Sequence, residues 1–160
     1  MRHVLCSVVF CLLAGTATAG ADLAISTFNS VCFKAGQTAT VARERMQQIA
    51  GAPLPFTLTF WDKTLEPAPG TPGLIERRCE VLFDGAHTAA AIEALRVQMA
   101  TPPVFGFAVD LPETHKPLPG TALIEGRELL RGRVAVVHVG MRGDQTFMAV
   151  DRLPAGWEAM

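Results

Sequence analysis

The histidines beyond the first twenty residues are His87, His115 and His138. They lie far apart, and no H-E-x-x-H, H-x-H or paired C-x-x-C spacing accompanies them. Zinc and related metals need three or four convergent ligands, so no metal site is expected. The serines beyond residue 20 are Ser26 and Ser30, neither in a G-x-S-x-G turn, which argues against a serine nucleophile. No G-x-G-x-x-G or Walker pattern is present, so no nucleotide or other cofactor is expected. Pro69 to Gly73 is rich in glycine and proline but lacks the Lys-Ser/Thr end of a phosphate cradle, and reads as a turn.

Charged pairs remain. Glu76 and Arg78 recur in kind as Glu125 and Arg127, and Arg142 lies four residues after His138. Arginine forks bind carboxylates and other anions through two parallel bonds, and a histidine beside them can titrate near neutral pH. His138, Arg142, Arg78, Arg127, Glu76 and Glu125 are therefore the candidate ligand-binding set. A ladder of cross-strand salt bridges is the plainer account of the same residues, each worth under about 1 kcal/mol at a surface. Arg142-Gly143-Asp144 spells an adhesion tripeptide but reads as a hairpin turn.

Cys32 and Cys79 are the second chemical feature. Ile25, Phe28, Val31 and Cys32 share one stripe of a helix running from a cap at Asp22 to about Lys34. In Arg77 to Phe83, alternation puts Cys79, Val81 and Phe83 on one face of a strand. Both thiols point toward the core, and a disulfide is expected. It would close a loop of about 48 residues and stabilise by roughly 4 kcal/mol in the chain-entropy model. A bridge also removes Cys32 as a partner for His138 in nucleophilic catalysis.

The elements that position these residues follow from periodicity. Helices are expected at Thr40–Ala50, with Ala42, Met46, Ile49 and Ala50 inward, and at Thr88–Ala100, with Ile92, Leu95 and Met99 inward. Strands are expected at Phe56–Trp61, Arg77–Phe83, Val104–Leu111, Arg133–Arg142 and Thr146–Leu153, the last two joined by a hairpin at Gly143-Asp144. Arg133–Arg142 is apolar on both faces, so it should lie centrally and be covered on both sides. Proline-rich loops span Asp62–Gly73 and Pro112–Gly120. Pro69-Gly70-Thr71…Leu74-Ile75-Glu76 resembles Pro119-Gly120-Thr121…Leu123-Ile124-Glu125, so a helix–strand–loop–strand unit reads as present twice. The fold expected is α+β: a mainly antiparallel sheet of about six strands on two or three helices.

The N-terminus reads as an address. Arg2 and His3 precede the apolar run Val4–Ala14, and Ala17-Thr18-Ala19 supplies the small residues of a cleavage site. Eleven apolar residues are too few for a membrane span, which needs about twenty. Residues 1–19 are thus an expected signal peptide cleaved near Ala19, and 20–160 a single exported domain, periplasmic or secreted. With 14 basic and 15 acidic side chains the charge is −1, which gives no reason to expect nucleic acid. The expectation is a non-enzymatic domain binding an envelope protein or small ligand. The alternatives are a small hydrolase built on His138 with neighbouring acids and arginines, and a subunit of an envelope assembly.

Overall fold

The computed structural model describes residues 15–101 and 106–157. The apolar run Val4–Ala14 and the expected start of the third strand at Val104 lie outside the described residues. Three helices, α1 (Gly15–Val31), α2 (Ala39–Ala50) and α3 (Thr88–Met99), accompany six strands. These are β1 (Thr57–Asp62), β2 (Arg77–Asp84), β3 (Ala108–Val109), β4 (Thr121–Leu129), β5 (Arg133–Arg142) and β6 (Gln145–Leu153). All pairings are antiparallel, in the order β1-β2-β6-β5-β4-β3, which is the expected α+β class.

Helix α1 begins seven residues before Asp22, which sits exposed in mid-helix and caps nothing. Gly15 to Ala21 is a run of small residues without proline, so the helix can extend backward through it. Among the residues whose burial is described, a buried stripe runs through Ala21, Ala24, Ile25, Phe28, Val31 and Cys32, at the three-and-four spacing of one helix face. Thr38 caps α2, its hydroxyl accepting from the Val41 amide at 3.3 Å. Ala42 and Met46 point inward as expected, whereas Ile49 is 44% exposed. Gly51, at φ 83°, ends the helix.

The helices cover one face of the sheet. On that face lie Cys79, Val81 and Phe83 of β2, Met148 and Val150 of β6, and Ala135, Val137 and Val139 of β5. The opposite face carries a second cluster, with Val134, Val136 and Leu153 packed by Ile75, Trp61, Leu111 and Trp157. Strand β5 is thus central and covered on both sides, because its odd and even residues serve two different cores. The β5–β6 hairpin closes through Gly143-Asp144, with Arg142 opposite Gln145.

Cys32 and Cys79 form the expected disulfide, with Cα atoms 5.4 Å apart. It ties the end of α1 to β2. The strand half of the repeat is visible: β1 pairs with β2, β3 pairs with β4, and the two pairs flank β6 and β5 symmetrically. Gly70 and Gly120, equivalent in the repeat, both hold positive φ (78° and 87°). The symmetry stops at the helices: α2 packs on β1, while α3 packs on β5 and β6.

Candidate functional site

One cluster on the face of the sheet away from the helices is built around a carboxylate. Alternation along β6 sends Phe147, Ala149 and Asp151 to that face, where Asp151 is fully buried. Arg78 stands directly opposite on β2. Its Nε donates to Asp151 Oδ1 at 2.6 Å and its Nη2 to Oδ2 at 2.5 Å. The loop after β3 brings His115 down onto the same carboxylate, Nε2 to Oδ2 at 2.9 Å, and buries it there. His138, one register step away on β5, brings its Nε2 to 3.5 Å from Oδ2, at ion-pair distance but without a hydrogen bond. Trp61 lies under the Arg78 guanidinium, 5.4 Å from its centre.

The electrostatics follow from this crowding. Burial alone would push the Asp151 carboxyl up; the hydrogen bonds from Arg78 and His115 and the approach of His138 outweigh it and hold the group well below the usual carboxylate range. Its hydrogen bond to Asp151 raises Arg78 above its ordinary value despite partial burial. The pair is a charge clasp. Arg78 supplies the cation that a metal would supply, and among the described residues no metal-ligating group of His, Cys, Asp and Glu is assembled.

The six candidate residues separate into four places. Arg78 and His138 join the Asp151 cluster. Arg142 lies farther along the same face, forking Glu80 with Nη1 at 2.5 Å and Nη2 at 2.8 Å over the Phe147 ring. That fork raises Arg142 above its ordinary value. Glu125 and Arg127 face the other way, on the helix side of β4, and bond only each other at 2.8 Å. Although the repeat aligns Arg127 with Arg78, the two guanidiniums lie on opposite faces of the sheet, so the expected convergence does not occur. A strand shifted by one residue relative to its sequence equivalent turns every side chain over.

Glu76 belongs to a second charge cluster on the helix side, at the end of the sheet beside the disulfide. Arg152 Nε donates to Glu76 Oε2 at 2.8 Å, and its Nη2 reaches both oxygens of buried Asp62 at 3.0 and 3.1 Å. Arg77, 6% exposed, donates from Nη2 to the Cys32 carbonyl at 3.0 Å and lies over the Phe60 ring. Its Nε is buried without a hydrogen-bond partner, 3.9 Å from Asp62. Burial, with Arg152 nearby and only partly offset by Asp62, lowers Arg77 to about 10. Arg133 reaches Glu76 only at 3.9 Å and is two-fifths exposed.

These arginines line a cavity of about 360 Å³, with Cys32, Ala135 and Val150 as apolar walls and Leu129 and Leu130 at the β4–β5 turn. A second cavity of the same volume lies between α2 and β1 and is lined by Arg43, Glu44 and Phe60 among others. His138 lines neither.

Sequence reasoning missed Asp151, His115 and Asp62. Asp151 carried one signal: it is an acid on the alternating apolar face of a strand otherwise reading as core. His115 carried none, since a loop histidine between prolines does not announce which strand it will meet. No family model matches the chain, no curated protein matches it, and no solved structure matches it.

Proposed function

We propose that the chain is an exported, disulfide-braced domain that binds a small ligand in the cell envelope, at the cavity beside the Cys32–Cys79 bridge. The observation that carries this reading is the cavity itself: about 360 Å³, apolar walls and a few convergent polar groups, the usual make-up of a ligand site. The leader-like segment through Ala19 and the disulfide support an oxidising compartment. Among the residues whose burial is described, the buried stripe of α1 runs from Ala21, so a chain starting at Gly20 keeps that stripe.

Expression with the leader in a bacterium, followed by intact mass of the exported fraction, tests the compartment. The expected product starts near Gly20 and is lighter by two hydrogens than its reduced form; a full-length reduced chain retained in the cytosol would sink the reading. Native mass spectrometry of the same fraction tests binding, through a bound small molecule that leaves on denaturation.

A hydrolase reading has one observation in its favour. The exposed Thr114 hydroxyl lies 2.8 Å from His115 Nδ1, whose Nε2 meets Asp151, so hydroxyl, imidazole and carboxylate stand in series. Arg78 already neutralises that carboxylate, and the hydroxyl belongs to the residue adjoining the histidine. Ester hydrolysis by the wild type that disappears in Thr114→Val would favour this reading over ligand binding.

A further inference from the structure

The charges around the cavity beside the disulfide do not balance. Three guanidiniums, Arg77, Arg133 and Arg152, line it, and no carboxylate does. Asp62 and Glu76 stand behind them; Glu76 accepts from Arg152, and Asp62 accepts from Arg152 and from the amide and hydroxyl of Thr64. Arg152 is therefore fully engaged, whereas Arg77 and Arg133 each meet an acid only at 3.9 Å, beyond hydrogen-bond reach. Two carboxylates against three guanidiniums leave one positive charge uncompensated.

The two less engaged arginines differ in access. Arg77 is buried beneath the wall, its Nε without a hydrogen-bond partner, and it contributes a fixed positive field. Arg133 is two-fifths exposed and donates no hydrogen bond, so its fork is available at the mouth. The remaining walls are apolar. Leu130 is 80% exposed at the rim, held outward by a turn in which Arg131 and Gly132 both take φ 67°. A non-glycine residue in the left-handed region costs energy, and here the conformation places a leucine beside an arginine fork.

We propose that this cavity binds an anionic amphiphile, its acid head on Arg133 at the mouth and its apolar tail against Ala135, Val150 and Leu129. The proposal rests on the reading of this cavity as the ligand site and names the chemistry of the ligand. The buried Arg77 charge, costly while uncompensated, would gain a counter-ion when the head group arrives. A carboxylate and a phosphate head share this chemistry, and either fits an arginine fork.

The test is calorimetric titration of the oxidised mature chain with decanoate, decyl phosphate, decanol, acetate and decyltrimethylammonium. The expected result is saturable one-to-one binding of decanoate or decyl phosphate, with no binding of acetate or the cationic amphiphile at the same concentration. The stronger of the two anions assigns the head group. Arg133→Gln should weaken that binding roughly ten- to a hundredfold, the worth of a charge-assisted fork. Leu130→Asp, at a position too exposed to affect folding, should weaken it as well, whereas Arg96→Gln on α3 should not. Methyl resonances of Val150 and Leu129 should shift on binding. Decanol binding as tightly as decanoate, or undiminished decanoate binding in Arg133→Gln, would overturn the anionic assignment and leave the ligand-site reading standing. No binding by any probe would overturn both.

Discussion

Arg78 and Asp151 face each other across β2 and β6, and the guanidinium holds both carboxylate oxygens, at 2.6 and 2.5 Å, in a site where Asp151 has no exposed surface. Two histidines, His115 and His138, stand against the same carboxylate. The helix-free face thus carries two buried carboxylates, Asp151 held by Arg78 and the histidines, and Glu80 in the fork of Arg142.

Removing the Asp151 charge should be expensive. Asp151→Asn keeps the shape but leaves Arg78 without its counter-charge in a mostly buried place. Breaking one partner of a buried pair costs about 3–5 kcal/mol. Urea denaturation should show that loss, and in a cycle with Arg78→Met the double variant should recover part of it. The folded carboxyl is depressed, so its stabilising effect is complete above the unfolded value of about 3.9 and is lost as pH falls below that toward the folded value. The wild type should thus lose stability below about pH 4 more steeply than Asp151→Asn. Parallel acid limbs in the two proteins would show that the clasp does not set the acid response.

His115 is the one hydrogen bond that the Pro112–Gly120 loop makes to this cluster. The loop's other side-chain bonds are local ones. His115→Ala should therefore act first on the loop, with a cost on the order of 1–3 kcal/mol for the buried bond. Native-state hydrogen exchange should quicken in residues 110–120 while β2, β5 and β6 keep their protection. Uniform loss of protection across the sheet would mean that the loop is integral to the core and not pinned onto it.

How much of this was readable in the sequence depends on which neighbours decide a residue's fate. The alternation Cys79-Val81-Phe83 and the stripe through Cys32 are local patterns, and they were enough to pair the two cysteines. Both-sided apolarity likewise placed β5 centrally. The start of α1 was misplaced because Asp22 looks like a cap only if the small residues before it are not helical. The charged site was legible only in part. His138, Arg142 and Arg78 do share a face, since parity along a strand fixes that. Asp151 needed the strand order: it meets Arg78 because β6 inserts beside β2, a long-range pairing that no local pattern encodes. Glu125 and Arg127 were drawn in by letter similarity to Glu76 and Arg78, yet face is set by pairing register and not by alignment.

The bridge joins α1 to β2 across 47 residues of sequence, and Arg77 adds a second tie between the same two elements through the Cys32 carbonyl. Replacing both cysteines by serine should cost about 4 kcal/mol in the chain-entropy model, read as a lower urea midpoint. Because Cys32 also walls the arginine-lined cavity, the same variant should bind decanoate less tightly than the oxidised wild type. Alkylation of the chain beginning near Gly20, which lacks Cys6 and Cys11, should add no mass without reductant; two modified thiols would contradict the bridge.

Gly140 tests the packing of the helix-free face without touching a charge. It lies on β5 opposite Phe147, between that ring and the turn at Gly120. A Cβ there would stand 2.3 Å from the Gly120 carbonyl oxygen and 2.7 Å from the Phe147 ring, so both must move to admit a methyl group. The ring is not free to yield, because Arg142 lies over it at 4.7 Å and His138 meets it edge-on at 5.9 Å. Gly140→Ala should destabilise by about 1–3 kcal/mol, the usual cost of overpacking, although alanine is otherwise the gentlest replacement for glycine. Gly73→Ala, in open space, is the control and should change little. Shifts in the Phe147 ring resonances should accompany the loss. A Gly140→Ala protein as stable as wild type would mean that the Gly120 turn can withdraw from β5, and with it the loop that carries His115.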